Sequence, residues 1–343
     1  MKGSIVAFDS LNGRSAAARV VNGRLDDLLV DPPETRIRPG TIYRARAARP
    51  MKGQGGAILE TPDGPLFLRQ SKGLSQGDTL LVQAATYAEP GKAVPANPRL
   101  LFKSRFALVT PGAAGRNISK AIRDEERRVE LRELAEGLDL PEGVGLVLRT
   151  SALEADDDAI QGDVEAVLDA ARAILSEPFD GAPERLLDGP GAEDLALRDW
   201  PVPDQTDVDP GSFERHGIHD MIDALRDPEE PLPGGGSLVV EATRAFVAVD
   251  VNTGGDTSPA AGLKANLEAL RALPRALRLR GLGGQIVVDA APMAKRDRAR
   301  IDSAANSAFR TDPIETSIVG WTPLGHLEIN RKRERLPLSE CLP

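Results

Sequence analysis

Two short apolar segments with a helical pattern between them constrain the fold of this chain more than any other feature. Residues 244–250 and 285–289 are β-branched, bounded by glycine or polar residues, and each ends in an aspartate, which is typical of buried strands. Residues 259–280 carry leucines at steps of three and four, which predicts an amphipathic helix. A strand, a crossover helix and a second strand form a parallel pair. Asp250 and Asp289 are therefore expected side by side at one sheet edge, where α/β sheets bind ligands.

The two aspartates predict a metal site. Neighbouring carboxylates repel each other unless a positive charge lies between them, and ligand sets made only of oxygen favour Mg²⁺ or Mn²⁺. Side chains alternate along a strand, so Asn252 shares the face of Asp250 and is expected to orient water or substrate. Residues 264–280 and 295–300 are rich in lysine and arginine, which suits a phosphodiester substrate. The alternative is that the aspartates only end their strands and that the basic residues form a solvated helix face.

The segments AFVAVDVNTGG, LKANLEAL and LRLRGLGGQIVVDAAPM resemble the catalytic signature of the ribonuclease E/G family. In that family an apolar strand ends in Asp-(Ile/Val)-Asn, a helix carries Asn-Leu-Glu-Ala, and Leu-Arg-Leu-Arg-x-Leu-Gly-Gly precedes a second strand that ends in aspartate. The resemblance implies that Asp250 and Asp289 are catalytic and bind Mg²⁺ in a DNase I-like subdomain, with Asn252 as the supporting polar residue. Pro292 departs from the family pattern, which has a further aspartate three residues after the second one.

The charge distribution decides how the overall composition is interpreted. A net charge of −9 argues, taken alone, against a nucleic-acid ligand. Acidic residues concentrate between 154 and 230, however, and basic residues cluster at 99–128, 264–300 and 331–335, so RNA can still bind locally. No apolar run approaches the roughly 18 residues that a membrane span needs. We therefore expect no membrane partner, and the single cysteine agrees with a cytoplasmic location.

Residues 1–35 predict paired strands, with a hairpin turn at Asn22-Gly23. The resemblance implies that this segment joins residues 177–235 in a split RNase H-like subdomain. The later segment contains His216 and His219, which could suggest a metal pair. Because no cysteine or third histidine lies nearby in the sequence, a helix surface is the better interpretation of these two residues.

Residues 36–98 predict short strands between glycine-rich turns, which fits a small β-barrel. The resemblance implies that this is the family's inserted S1-type OB barrel, which binds single-stranded RNA. Phe67 matches a family aromatic that stacks on bases, and Lys92 matches a family lysine that binds phosphate. Ile58 occupies the position of a second expected aromatic. A buried barrel position is the alternative for Phe67.

Residues 99–176 resemble the family's 5′-sensor region. Arg149 and Thr150 follow a predicted strand, and the resemblance implies that they bind a 5′-monophosphate of the RNA. A guanidinium beside a hydroxyl suits a dianionic phosphate, although an ordinary surface role is the alternative for such a pair. The glycine and valine that accompany the pair in the family are replaced by Ser104 and Leu108.

Residues 236–343 are expected to form the DNase I-like α/β catalytic subdomain. Four arginines in its basic motifs are predicted RNA contacts, with solvated surface as the alternative: Arg278, Arg280, Arg331 and Arg333. Family members continue with Cys-Pro-x-Cys, which two subunits share around a structural zinc. Because Cys341 has no second cysteine, no structural zinc is expected. We expect a monomer, or a dimer formed through another surface.

Together these patterns predict an α/β protein of several subdomains that resembles a short ribonuclease G-like endoribonuclease. The resemblance implies Mg-dependent cleavage of single-stranded RNA, such as rRNA precursors or mRNA, to 5′-phosphate and 3′-hydroxyl ends. Two alternatives remain. One is a catalytically weak RNA-binding or rRNA-processing factor, and the other is a metal phosphohydrolase that acts on small molecules.

Overall fold

The computed structural model describes residues 3–48, 55–70, 72–89 and 91–342. Its contacts divide the chain into two compact units. The first unit comprises residues 1–33 and 203–343, and the second comprises residues 34–202. Both units contain sheets and helices, so the α/β class is confirmed. No helix within the described ranges is long and apolar enough to cross a membrane.

The first unit begins with an antiparallel meander. Its strands are β1 (Ser4–Leu11), β2 (Arg14–Val21) and β3 (Arg24–Val30). Asn22 and Gly23 both have positive φ, 51° and 77°, which confirms the predicted hairpin turn. A strand at residues 205–207 pairs parallel with β1, so this sheet joins two segments that are distant in sequence. The RNase H-like name for it stays a prediction.

The second unit begins with a closed five-stranded barrel. Its strands are β4 (Ile42–Ala47), β5 (Ala57–Glu60), β6 (Leu66–Leu68), β7 (Thr79–Ala84) and β8 (Val94–Asn97). They pair in the order β4-β5-β6-β8-β7, and β7 pairs back onto β4. Buried side chains such as Tyr43, Leu59, Leu66 and Val82 fill the interior. The predicted barrel is therefore confirmed, and its closure is consistent with an OB fold.

The rest of the second unit is a small α/β layer. Its elements are β9 (Phe102–Lys103), β10 (Ala107–Pro111), β11 (Gly115–Ile118), α1 (Glu125–Gly137), β12 (Val144–Leu148), α2 (Asp157–Leu175), β13 (Glu184–Leu187) and α3 (Ala192–Asp199). The sheet order is β11-β12-β10-β9, and α1 and α2 bury Leu131 and Leu168 in its core. β13 pairs with β4. The sequence placed residues 177–202 with the split subdomain, whereas the contacts place them with the second unit.

The remainder of the first unit contains a six-stranded mixed sheet. The elements are β14 (Gln205–Asp207), α4 (Ser212–Arg215), α5 (Ile218–Asp223), β15 (Glu229–Pro231), β16 (Ser237–Ala242), β17 (Val247–Asn252), α6 (Ala261–Leu279), β18 (Gly284–Asp289), α7 (Arg298–Arg310), β19 (Thr316–Trp321), β20 (Leu327–Arg331) and α8 (Leu338–Cys341). The sheet order is β15-β16-β17-β18-β20-β19. β17 and β18 are parallel and α6 connects them, as predicted. Alternate valines of β17, and Ile286 and Val288 of β18, pack with the leucines of α6 in one core.

Candidate active site

The ends of β17 and β18 bring the two predicted aspartates together. Asp250 and Asp289 are direct partners in the parallel register, so their Cα atoms lie about one strand spacing apart, roughly 4.8 Å. The preceding residues Val249 and Val288 are buried, whereas both aspartates are exposed. The side-chain amide of Asn252 donates a hydrogen bond to Oδ2 of Asp250 at 2.9 Å. The three polar residues selected from the sequence therefore lie on one exposed face of the sheet.

The chemistry of these donors fits a hard divalent cation. Carboxylate and amide oxygens are the ligands that Mg²⁺ and Mn²⁺ prefer, and solvent exposure lets the ion keep several waters. Within the described ranges, no group of three or more histidine, cysteine, aspartate or glutamate side chains is placed to hold a metal. A site here would therefore consist of two protein carboxylates completed by water and substrate.

A histidine that the sequence analysis did not select lies beside the second aspartate. His326 immediately precedes β20, and its Nδ1 is 3.2 Å from Oδ1 of Asp289. The segment GHLEINRKRER resembles the ribonuclease E/G closing strand Gly-Leu-x-Glu-Met-x-Arg-x-Arg, in which leucine stands at the position of His326. This departure was the only sequence signal that could have singled it out.

Two polar residues of the Asn-Leu-Glu-Ala motif in α6 hold the loops around the site. The Nδ2 of Asn266 donates to the Ala291 carbonyl and its Oδ1 accepts from the Ala291 N–H, both at 2.9 Å. Glu268 accepts a hydrogen bond from the Gly234 N–H at 2.8 Å. The motif therefore fixes the segment that follows Asp289 and the turn that precedes β16. The motif is recognisable in the sequence, but the hydrogen bonds of these two residues are not.

Three of the predicted RNA-binding arginines lie in the interior of the first unit. The Arg331 guanidinium is fully buried and binds Asp312 at 2.8 Å, and Arg278 pairs with the same carboxylate. Arg280 is also buried and lies 3.6 Å from Glu230. Because carboxylates already pair with Arg278, Arg280 and Arg331, RNA would have to compete with those partners, and the RNA contacts of the three arginines stay predictions. Their number and clustering in the sequence reflect a buried ion network.

Other basic side chains of the first unit are accessible. Arg333 is half-buried and donates to the Gly283 carbonyl at 3.0 Å, so its predicted phosphate contact stays a prediction. Lys295 and Arg296 are exposed and follow the second aspartate by six and seven residues. The Arg298 guanidinium lies 4.6 Å from the Trp321 ring centroid. Lys295, Arg296 and Arg298 are thus basic residues of the segment that follows Asp289.

The barrel presents an apolar surface around Phe67. Leu66 and Leu68 are buried in the barrel, so Phe67 between them faces outward, where it is half-buried. Ile58 and Pro95 are its cross-strand partners. This outward position differs from the buried alternative, and RNA stacking on Phe67 stays a prediction.

Lys92, the predicted phosphate-binding residue of the barrel, is exposed. Its Nζ pairs with Glu89 at 2.7 Å. Such exposed pairs contribute little free energy, so this one does not prevent a phosphate contact. That contact also stays a prediction.

The predicted phosphate sensor is occupied by internal partners. Arg149 donates to the carbonyls of residues 104–105 and binds Asp199 at 2.8 Å. Lys103 and Arg198 bind the same carboxylate at 2.9 and 2.8 Å. Burial alone would raise the pKa of Asp199, but the hydrogen bonds and charges of Arg198 and Lys103 outweigh it and hold the pKa well below its usual value. Arg149 therefore belongs to a local ion cluster.

Thr150 and Ser104 are also engaged. The Thr150 hydroxyl lies 3.0 Å from the Ser119 hydroxyl. Ser104 Oγ donates to Asp163 at 2.6 Å, and the Phe106 N–H donates to the same carboxylate at 2.8 Å. A 5′-phosphate would have to compete with these carboxylates, and its recognition by Arg149 and Thr150 stays a prediction.

Comparison with known proteins supports the motif resemblance. Residues 102–208 and 201–334 match the ribonuclease E/G family. Ribonuclease E of Synechocystis sp. is 28% identical over 332 residues, which cover 84% of this chain and 49% of that protein. Ribonuclease G of Salmonella typhimurium is 26% identical over 395 residues, covering 95% of this chain and 79% of the relative.

Ribonuclease E of Escherichia coli is 28% identical over 308 residues, which cover 78% of this chain and 29% of that protein. The chain spans about half the length of the cyanobacterial ribonucleases E that it matches. The family match covers both the barrel-adjacent α/β layer and the paired aspartates. This chain therefore belongs to the ribonuclease E/G family.

Proposed function

We propose that this chain is a metal-dependent endoribonuclease for single-stranded RNA, with Asp250 and Asp289 as the ligands of Mg²⁺ or Mn²⁺. The observation that carries this proposal is the register of β17 and β18, which places the two exposed carboxylates next to each other. Neighbouring carboxylates on parallel strand ends repel unless a cation lies between them. The relatives named ribonuclease E and ribonuclease G agree with an RNA substrate.

Each residue of the site has a separate task in this mechanism. Asp250 and Asp289 would hold the ion, and Asn252 restrains the first carboxylate through its 2.9 Å hydrogen bond. When bound, Mg²⁺ would supply charge stabilisation at the scissile phosphate and would lower the pKa of a bound water. Hydrolysis of the P–O3′ bond by that water would leave 5′-phosphate and 3′-hydroxyl ends. The exposed Lys295 and Arg296 attract the RNA backbone.

Substitution of the aspartates tests the proposal. We expect Asp250→Asn and Asp289→Asn each to reduce Mg-dependent cleavage of single-stranded RNA to background, because each removes one charged ligand. Asp220→Asn, which changes an exposed aspartate of α5, is the matched control and should cleave like wild type.

Unchanged cleavage by either site variant would refute the assignment. RNA binding by the wild-type chain without cleavage would favour an RNA-binding factor. Turnover of small phosphate esters without RNA binding would favour a phosphohydrolase.

The barrel is proposed to hold the RNA by stacking on Phe67. Stacking of a base on an aromatic side chain is worth about 1–3 kcal/mol, so Phe67→Ala should weaken RNA binding about 5- to 150-fold. Fluorescence anisotropy with a labelled single strand, in an Asp250→Asn background, would measure the affinity. Phe67→Tyr keeps the ring and should bind like its parent. Equal losses in both variants would contradict a stacking role.

A further inference from the structure

The register of the catalytic sheet places His326 opposite the second aspartate. β18 and β20 are antiparallel with Val288 paired to Leu327, so the residue after Val288 faces the residue before Leu327. Those residues are Asp289 and His326, and cross-strand partners of this kind lie on the same face. Their side chains meet with Nδ1 3.2 Å from Oδ1. His326, Asp289 and Asp250 thus follow one another across three neighbouring strands.

The backbone of His326 is fixed by the turn that connects β19 and β20. Its N–H donates to the Thr322 hydroxyl at 3.1 Å, and its carbonyl accepts from the Thr322 N–H at 2.8 Å. Gly325, with φ of 99°, permits this tight turn because it adopts a backbone conformation that other residues rarely reach. The imidazole therefore projects from an anchored position beside the carboxylate.

The Nδ1 atom of His326 is shielded from solvent and forms no hydrogen bond of acceptable geometry with the described part of the chain. A buried polar atom without a partner costs free energy, so an acceptor within reach is favoured. Asp289 Oδ1 is at a suitable distance, and the Asp289 side chain is 67% exposed. A small rotation of this carboxylate would complete the hydrogen bond.

The geometry of the described residues does not make His326 a third ligand of the same ion. Asp250 and His326 flank Asp289 on opposite sides, and two strand spacings separate their backbones by roughly 9.6 Å. Among the described residues, these side chains do not form a group that could hold a metal. A role through Asp289 agrees with both observations.

We propose that His326 is a positioning residue for Asp289, which restrains its carboxylate by a hydrogen bond from Nδ1 to Oδ1 so that Oδ2 remains available to the ion. This inference rests on the proposed metal-binding role of Asp250 and Asp289. Asn252, two residues further along β17, restrains Asp250 in the same way. Partners that orient metal ligands typically contribute 10- to 100-fold to metal affinity. The site would then hold its ion through two carboxylates that are each fixed by a neighbouring donor.

Mn²⁺ binding without RNA tests the proposal independently of cleavage. Electron paramagnetic resonance would measure the free Mn²⁺ during titration of the full chain. We expect His326→Leu to bind Mn²⁺ about 10-fold more weakly than wild type. His326→Asn places an amide N–H close to the position of Nδ1 and should restore most of the affinity. His219→Leu removes a histidine on α5 and should bind Mn²⁺ like wild type.

Three outcomes would count against the proposal in different ways. Wild-type affinity in His326→Leu would overturn it, because the imidazole would then have no effect on the ligand. An affinity in His326→Asn as low as in His326→Leu, with both variants folded by circular dichroism, would also overturn it, because packing would then explain the loss. Full Mn²⁺ affinity in Asp250→Asn would instead refute the metal site itself, and with it the proposed function.

Discussion

Replacing Asn266 with alanine tests how the segment after Asp289 is held. Asn266 is 2% exposed and makes two hydrogen bonds of 2.9 Å with the N–H and carbonyl of Ala291, which is 4% exposed. In Asn266→Ala both backbone groups lose these partners where water is excluded. Each buried group left unsatisfied costs about 1–3 kcal/mol, so the two together cost about 2–6 kcal/mol. This is a large share of the about 5–15 kcal/mol that stabilises a typical domain.

The positions of the two tryptophans allow the unfolding of the first unit to be measured separately. Trp200 lies in the second unit and Trp321 in the first. In a Trp200→Phe background, the fluorescence of Trp321 reports urea unfolding of the unit that contains the site. Asn306→Ala is the matched control, because its exposed amide donates a single hydrogen bond on α7. Such surface changes usually alter the free energy of unfolding by less than about 0.5 kcal/mol.

The same variant should also bind Mn²⁺ more weakly, since the segment after Asp289 loses its anchor. A loss of less than about 1 kcal/mol in the free energy of unfolding would refute the reasoning, because it would show that Ala291 finds other partners. If the free energy of unfolding falls by the predicted amount but the folded variant binds Mn²⁺ with unchanged affinity, Asn266 supports the fold without positioning the ligand.

Two further predictions concern charged groups of the first unit. Arg331→Ala removes one of the two buried arginines that pair with Asp312 and should lower the free energy of unfolding by up to about 3–5 kcal/mol. Arg333→Ala, at a half-buried position, should cost much less, and equal losses in urea unfolding would contradict the buried network. A hydrogen bond from Arg215 lowers the pKa of Asp207 from 3.8 to about 2. The ionised Asp207 carboxylate therefore stabilises the fold above about pH 4, and this stabilisation is lost as the pH falls towards 2. Asp207→Asn should therefore show a shallower fall of the urea midpoint between pH 5 and pH 2.5, and pH profiles of identical slope would refute this assignment.

The positions of Asp250 and Asp289 could be predicted because the information that sets them is local. Short β-branched runs define β17 and β18, and leucines at helical spacing define α6. A crossover connection of this kind makes the strands parallel, which brings both strand ends to one edge. The barrel was also predictable from local pattern. Short strands between glycine-rich turns form a small sheet, and closing that sheet into a barrel leaves no edge strand unpaired.

The tertiary structure alone decided which polar groups surround those aspartates. The sequence predicts phosphate contacts for Arg331 and Arg278, whereas in the structure both side chains pair with the buried Asp312. The charge of an arginine does not reveal whether a distant carboxylate will neutralise it, because that depends on packing between elements. His326 reaches Asp289 only through the register of β18 and β20, which hydrogen bonds between strands set and which no periodicity within either segment encodes.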